Sequence, residues 1–300
     1  MATPFDLYEP FDSGPGSNIL EDSWRKMARH WLQSGVLRGE DNDLQVYADS
    51  SGIQCKVKTG KAAIRGHHGE NTSEKILPLT AFAGIGAGKS RLDIVVARGD
   101  FLNNVIELDV VTGVAATTGT QVAPAVTQSA TTWELKLAEL GPFTTADVTV
   151  DAGDVADWRL WAVPTHGAGG EIATSVDVTA NQAGIVAEAD LTNMTVVAVL
   201  QPGRLYRVSN RAGLISSNTS DRLALYTKEG ATYLDTALSP APNTSSGQTM
   251  RGEAKVTKVA VGRYTFKAAA ERLAGSGSTT MAATATFKSR IYVEDLGPAA

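Results

Sequence analysis

The feature that most constrains the fold is a succession of short runs in which apolar and polar residues alternate. Ile53, Cys55 and Val57 alternate with polar neighbours, which is the pattern of a strand with one buried face. Similar runs follow to the end of the chain, and turn residues separate them about every 8–12 positions. The run Trp133–Leu140 fits both the strand and the helix period, so its conformation stays open. The pattern as a whole predicts a mainly β fold of the sandwich or jelly-roll kind.

One segment near the start follows a helical period instead. Its apolar residues recur at spacings of three and four and gather on one face of a helix. The residues of this stripe are Leu20, Trp24, Met27, Ala28, Trp31 and Leu32. Asn18 and Glu21 form a capping pair at its start. Because two tryptophans share the stripe, we expect the helix to pack against something large, such as the face of a sheet.

The length and one glycine-rich segment predict two domains. A chain of 300 residues exceeds the ~100–200 residues of a usual domain, and His166–Gly170 is the best linker. We therefore expect an N-terminal arm over 1–18 and an N-terminal β-sandwich-like domain with one amphipathic helix over 19–166. A C-terminal jelly-roll-like β-sandwich is expected over 171–300.

Charge and cysteine content exclude several classes of protein. The chain has 27 Lys and Arg against 32 Asp and Glu, a net charge of −5, so we expect no nucleic-acid partner. A single cysteine, Cys55, cannot form an intrachain disulfide or a cysteine-rich metal site. No apolar run approaches the ~20 residues of a membrane span, and no leader pattern opens the sequence. We expect a chain that folds in a cytosol without spanning a membrane.

The motifs that suggest chemistry each lack an essential part. Ala83–Ser90 is similar to a phosphate-binding loop, but Ala83 replaces the first glycine and a strand pattern follows where a helix is needed. The adjacent residues His67 and His68 would point to opposite faces of a strand, although a turn could bring them together on a metal. Acidic turns at Asp151–Asp157 and Glu40–Asp43 lack the ligand spacing of a calcium loop. We therefore expect no catalytic, cofactor or metal residues, and no enzyme.

An ordered set of short motifs runs through nearly the whole chain. In the N-terminal half, Trp31 precedes Gly35-Val36, and Arg91–Asp100 has the pattern R-x-D-x-V-V-x-R-x-D. The other pieces are Lys56–Ala62, Pro124, Glu134–Ala138, Asp157–Arg159, Pro202–Val208, Gly262–Phe266, Arg272–Gly277 and Val293–Pro298. This set resembles the minor tail and upper-baseplate proteins of long-tailed bacteriophages, particularly those that infect actinobacteria.

The resemblance implies a virion component rather than an enzyme. It implies folding in the host bacterial cytoplasm, a homotrimer around the tail axis, and contacts with other tail proteins and with a host cell-surface glycan or protein. The helix residues Trp24, Met27, Trp31 and Leu32 are then the expected assembly surface. Many phage adhesins bind glycans on aromatic platforms, so Tyr226 and Tyr233 are candidate glycan contacts, although core positions would have the same spacing. The alternative is a carbohydrate-binding or adhesion β-sandwich outside a virion.

Overall fold

The computed structural model describes residues 21–39, 41–178, 180–240, 248–282 and 288–299. The expected N-terminal arm over 1–18, which includes Asn18, lies outside the described residues, and so does Leu20. Of the described residues, 56% are in strands and 6% are helical, which confirms the predicted mainly β class. It divides into two compact units, of which the first ends at His166 and the second begins at Gly167. No helix within the described ranges is long and apolar enough to cross a membrane.

The described part of the N-terminal unit contains the helix and eleven strands. Its elements are α1 (Glu21–Trp31), β1 (Gly35–Val36), β2 (Val46–Tyr47), β3 (Gln54–Val57), β4 (Gly60–Ile64), β5 (His67–Asn71), β6 (Lys75–Pro78), β7 (Lys89–Asp100), β8 (Val105–Val111), β9 (Ala116–Thr117), β10 (Thr132–Phe143) and β11 (Val155–Asp157), with short 3₁₀ turns at Phe82–Gly84 and Ala152–Asp154. They form a sheet in the order β1-β4-β5, a second in the order β2-β3-β6, and a larger one in the order β11-β10-β7-β8 with β9 also on β7.

The alternating runs bury one face of these sheets around a common core. In β3 the alternation is retained, with Cys55 and Val57 fully buried. Burial raises the pKa of the Cys55 thiol to about 12. The rings of Phe82 and Phe143 stack in the same core at 4.4 Å. The segment Trp133–Leu140, which both periods fitted, is a strand because it pairs along most of β7.

The strand pattern of the sequence also predicts a turn at Gly99-Asp100 between two strands and a further strand over Asp147–Val150, and both of these predictions are wrong. Gly99-Asp100 does not form the turn between β7 and β8, because β7 continues through Asp100. The Asp100 carboxylate instead accepts backbone hydrogen bonds from Leu102 and Asn103 and fixes the turn that follows. The expected strand at 147–150 is a loop, in which the Asp147 carboxylate accepts from the Thr144 amide.

In the C-terminal unit, the residues that the structure describes form ten strands in two sheets. Its elements are β12 (Gly170–Thr174), β13 (Gln182–Ile185), β14 (Ala189–Leu200), β15 (Arg204–Ser216), β16 (Arg222–Glu229), β17 (Thr232–Pro240), β18 (Gln248–Thr257), β19 (Gly262–Ala274), β20 (Thr279–Ala282) and β21 (Arg290–Pro298). One sheet has the order β12-β21-β15-β20-β13, with β18 on the other side of β15, and the second has the order β14-β19-β16-β17.

The two sheets of this unit contact each other through buried apolar residues. Tyr206 and Val208 of β15 and Phe266 of β19 are at most 1% exposed. Between the sheets, the Asn210 side-chain amide donates to the Thr227 hydroxyl at 2.7 Å. Residues of β15 therefore alternate between an inner face, which includes Asn210, and an outer face of the six-stranded sheet.

Candidate functional site

The predicted assembly helix forms, but it is turned differently from the expectation. Trp24 and Trp31 are 50% and 62% exposed, while Met27 and Leu32 are half-buried. Leu32 lies just beyond the end of α1 and bridges to Pro164. The expectation that the tryptophans pack on a sheet face is therefore wrong for the described part of the chain. We call Trp24, Met27, Trp31 and Leu32 the tryptophan face.

Polar and charged residues of the helix hold it against the rest of the N-terminal unit. Ser23 is buried, and the Arg25 guanidinium lies 5.0 Å from the centre of the Phe101 ring. Thr165 donates from its hydroxyl to the Arg29 carbonyl and from its amide to the Trp31 carbonyl. A long arginine side chain can cover apolar surface with its methylene groups, which a pattern of apolar residues does not reveal. The buried side of α1 is thus one that the apolar pattern did not predict.

The tryptophan face is a compact apolar surface. Trp24 and Trp31 are two helical turns apart, so about 10 Å separates them along the axis on one side of the helix. Exposed tryptophans are the side chains that most often anchor protein interfaces when a partner covers them. The face can therefore bury two large rings in a contact without rearrangement of the helix.

The candidate glycan residues lie on neighbouring strands, and Tyr233 is close to the turn that joins those strands. Tyr226 is in β16 and Tyr233 is in β17, and their ring centres are 5.1 Å apart in an edge-on arrangement. Tyr226 is 9% exposed, and its hydroxyl donates to Glu271 at 2.7 Å. Burial, followed by that hydrogen bond, raises the pKa of Tyr226. Only Tyr233, which is 53% exposed, offers ring surface to a ligand.

A charged network fixes the orientation of Tyr233. Its hydroxyl donates to Glu188, and the Lys228 ammonium pairs with the same carboxylate and lies 5.0 Å from the Tyr233 ring centre. The hydrogen bonds from Lys228 and Tyr233 hold the pKa of Glu188 below its usual range. These contacts therefore hold the two tyrosine rings in an edge-on arrangement, which is not a flat platform of two parallel rings.

The charged residues of the N-terminal motif are used to hold strands together. Arg91 and Asp93 form a buried ion pair, and Asp93 also accepts from the Gly113 amide. Arg98 lies between strands and pairs with Glu134 of β10 on one side and with Glu107 and Asp109 of β8 on the other. The pattern R-x-D-x-V-V-x-R-x-D thus describes a central strand in which Arg98 pairs with both neighbouring strands, whereas the pair Arg91–Asp93 lies within β7.

Two distant motifs of the C-terminal half meet on adjacent strands. Pro202–Val208 begins β15 and Val293–Pro298 ends β21, and the two strands are paired. Arg204 and Asp295, each 1% exposed, form a bidentate ion pair of 2.7 and 2.9 Å. Arg207 pairs with Glu294 at 2.7 Å in a more exposed position. The charged residues of these two motifs therefore hold a pair of strands together.

The motif Arg272–Gly277 packs closely against the buried carboxylate of Asp221. A Cβ atom added to Gly275 or Gly277 would lie 1.9 or 2.5 Å from Asp221 oxygens, so only glycine fits at either position. The Gly277 amide and the Ser216 hydroxyl both donate to this carboxylate. The Ser216 hydrogen bond is the main cause that lowers the pKa of Asp221.

The motifs that suggested chemistry lie in structural roles. Lys89 and Ser90 begin strand β7, so no helix N-terminus follows the glycine-rich loop. His67, the first residue of β5, stacks on the ring of Phe101, which follows β7. Asp151 and Asp154 cap a 3₁₀ turn, and Asp157 pairs with Arg159. Across the described ranges, no three His, Cys, Asp or Glu side chains are grouped to hold a metal ion.

One cluster was not indicated by the sequence. Arg211 of β15 lies directly opposite Arg251 of β18 on one side and Arg290 of β21 on the other. All three belong to the outer face of the six-stranded sheet. Each residue alone is an ordinary arginine in an alternating run, and only the strand order brings the three together. Strand order between distant segments leaves no local signal in one sequence.

Comparisons with known proteins give no family. No family model and no curated protein matches the chain. Among solved structures, VP2 of an infectious bursal disease virus subviral particle is 10% identical, with 90% of this chain and 77% of that chain covered and a TM-score of 0.29. Eiger TNF from S. frugiperda is 13% identical, with coverage of 44% and 96% and a TM-score of 0.27. The insecticidal delta-endotoxin Cry8Ea1 from Bacillus thuringiensis is 11% identical, with coverage of 88% and 55% and a TM-score of 0.24. TM-scores this low establish neither a shared fold nor a shared function.

Proposed function

We propose that this protein is a non-catalytic structural component of a bacteriophage tail tip or baseplate that assembles as a homotrimer. The observation that carries the proposal is the tryptophan face, because Trp24 and Trp31 leave two large apolar rings half-exposed on a well-anchored helix. The ordered motifs of both halves support the same assignment by resemblance. In the proposed assembly, the helices of neighbouring copies or other tail proteins cover this face.

The charged motif residues support a structural role in this proposal. Arg91, Arg98 and Arg204 are each engaged by carboxylates of the same unit. The pairs of Arg98 and Arg204 join neighbouring strands and fix their register, which a particle component needs when it must present one surface to identical neighbours. Host attachment would be a second role, and Tyr233 is its candidate contact because its ring is exposed and fixed by Glu188.

The alternative of a free carbohydrate-binding module has weaker support. It relies on Tyr226 and Tyr233 as a joint platform, and Tyr226 is buried with its hydroxyl on Glu271. A sugar ring stacked on Tyr233 alone would have half of the expected aromatic contact. We therefore place assembly ahead of glycan binding.

Sedimentation velocity of the full chain tests the assembly. We expect a trimer for the unaltered protein and a monomer for the double variant Trp24→Ser, Trp31→Ser. Truncation of a buried interface tryptophan usually costs at least about 2 kcal/mol, or about 30-fold in the dissociation constant. The control is Leu102→Ser, which removes a side chain that is 74% exposed outside the helix and should leave the trimer intact.

Circular dichroism of each variant shows whether its fold is unchanged. An unaltered protein that sediments as a monomer would contradict the proposal. A double variant that keeps the trimer mass would show that the tryptophan face is not the contact.

A further inference from the structure

The outer face of the six-stranded sheet carries three arginines in one row across three strands. Arg211 lies opposite Arg251 and Arg290 in the strand register. Side chains that face each other across antiparallel strands have Cβ atoms about 4.5–5.5 Å apart, and like charges in such pairs destabilise a sheet. The row therefore opposes folding unless negative charge is placed beside it.

The carboxylates of the same face do not neutralise Arg251 or Arg290. Glu294 is paired with Arg207 at 2.7 Å, and Glu253 lies 4.0 Å from the same arginine. Arg290 rests on the ring of Tyr292, 5.0 Å from its centre. Within the described ranges, neither Arg251 nor Arg290 forms an ion pair with a carboxylate. Two positive charges of the row thus lack a counterion in this part of the chain.

A cavity of about 220 Å³ lies at the row and contains two unsatisfied donors. Its lining includes Ser209, the three arginines, Glu253 and Tyr292. Ser209 is 7% exposed, and its buried hydroxyl has no hydrogen-bond partner among the described residues; the same is true of the Arg290 Nε. A buried polar group without a partner destabilises a protein, so each such group needs an explanation.

We propose that this cavity binds a phosphate or sulfate group, either as the free ion or as an ester on a larger molecule. Guanidinium groups donate two parallel hydrogen bonds to oxyanions, and the Ser209 hydroxyl adds a donor from the floor of the cavity. Three arginines against one glutamate favour an anion over a neutral sugar. At about 30 Å³ per water molecule, the cavity has room for one such group with several waters. This inference does not depend on the proposed assembly.

Thermal unfolding and isothermal titration calorimetry of the full chain test the site. Sodium phosphate and sodium sulfate should raise the melting temperature more than sodium chloride of the same ionic strength, because a ligand stabilises the state that binds it. Arg251→Gln and Arg290→Gln should each weaken phosphate binding by tenfold or more. The matched control is Arg263→Gln, which removes the same charge from an exposed position on β19 of the other sheet and should leave binding unchanged.

Ser209→Ala separates a binding role from a structural one. Because the free protein gains nothing from an unpaired buried hydroxyl, this variant should melt at the same temperature as the unaltered protein or higher in chloride. It should also show a smaller stabilisation by phosphate. A lower melting temperature in chloride would mean that the hydroxyl serves the fold, and it would overturn this part of the inference.

The affinities of two ligands show whether the site binds the free ion or an ester. Tighter binding of glycerol 3-phosphate than of inorganic phosphate would assign the site to an esterified group, and the reverse order would assign it to the free ion. Equal effects of phosphate, sulfate and chloride would overturn the proposal. So would an Arg263→Gln variant that loses as much affinity as Arg251→Gln, since binding would then follow overall charge.

Discussion

At the scale of single residues, the protein contains ion pairs of very different burial within one pair of strands. Arg204 and Asp295 are each 1% exposed, whereas the side chains of Arg207 and Glu294 are 35% and 23% exposed. Removal of one partner from a buried pair leaves an uncompensated charge without water, while an exposed pair contributes little. The two pairs should therefore respond differently to the same chemical change.

We predict that Asp295→Asn lowers the free energy of unfolding by about 3–5 kcal/mol. The substitution keeps the shape of the side chain but leaves the Arg204 charge buried and unpaired. Glu294→Gln is the control and should cost about 0–1 kcal/mol. Urea unfolding at neutral pH measures both, and equal losses would contradict the assignment of Arg204–Asp295 as the pair on which the C-terminal unit depends.

At the scale of elements, the position of α1 depends on a close approach to the turn between β4 and β5. A Cβ atom on Gly66 would lie 2.3 Å from the Arg25 carbonyl oxygen. Gly66 also has a φ of +90°, which is unfavourable for residues with a side chain. Any larger residue here must push the helix away from the sheet.

We predict that Gly66→Ala loosens α1 as well as straining the turn. Gly119 is a matched control because its φ is also +90° and no atom lies within 4 Å of an added Cβ. Gly119→Ala should cost only the backbone term of about 1–2 kcal/mol, and Gly66→Ala should cost more. Tryptophan fluorescence should change only in Gly66→Ala, since Trp24 and Trp31 lie on the helix. A cost equal to that of Gly119→Ala would show that the close approach is relieved without loss.

The sequence predicted these elements better than it predicted their contacts. Alternation identified the strand around Cys55, and helical spacing identified α1, because each pattern is a local record of one buried side. The direction in which α1 packs was wrong, because Ser23 is buried and Arg25 contacts Phe101, whereas both tryptophans are exposed. The arginine row and the pair Arg204–Asp295 could not be foreseen, since each joins strands that are distant in sequence.

At the scale of the whole molecule, the chain divides into two compact units. Separate folding of each unit stays a prediction. Gly167, at the start of the second unit, is held by a hydrogen bond from Arg204 Nη2 to its carbonyl at 2.6 Å. The segment predicted as a linker is therefore partly fixed within the C-terminal unit.

We predict that a fragment over 167–300 unfolds cooperatively on its own. Its two sheets bury their own apolar faces, and 134 residues is within the usual size of a domain. A fragment over 171–300 lacks the Gly167 carbonyl and should be less stable by about 1.5–3 kcal/mol, the usual worth of a hydrogen bond to a charged group. Calorimetry of both fragments tests this, and a fragment over 167–300 without a melting transition would show that the units share one core.

The place of β21 between β12 and β15 has a consequence for the rate of folding. Arg204 and Asp295 are 91 positions apart, and the bond between Ser175 and Ile291 spans 116. Long loops must close before such contacts form, so domains of this contact order fold in milliseconds to seconds rather than microseconds. Until β21 arrives, β15 presents an open edge over Arg204–Arg211 that another nascent copy could occupy. The strand that completes the sheet is thus also its protection against mispairing during synthesis.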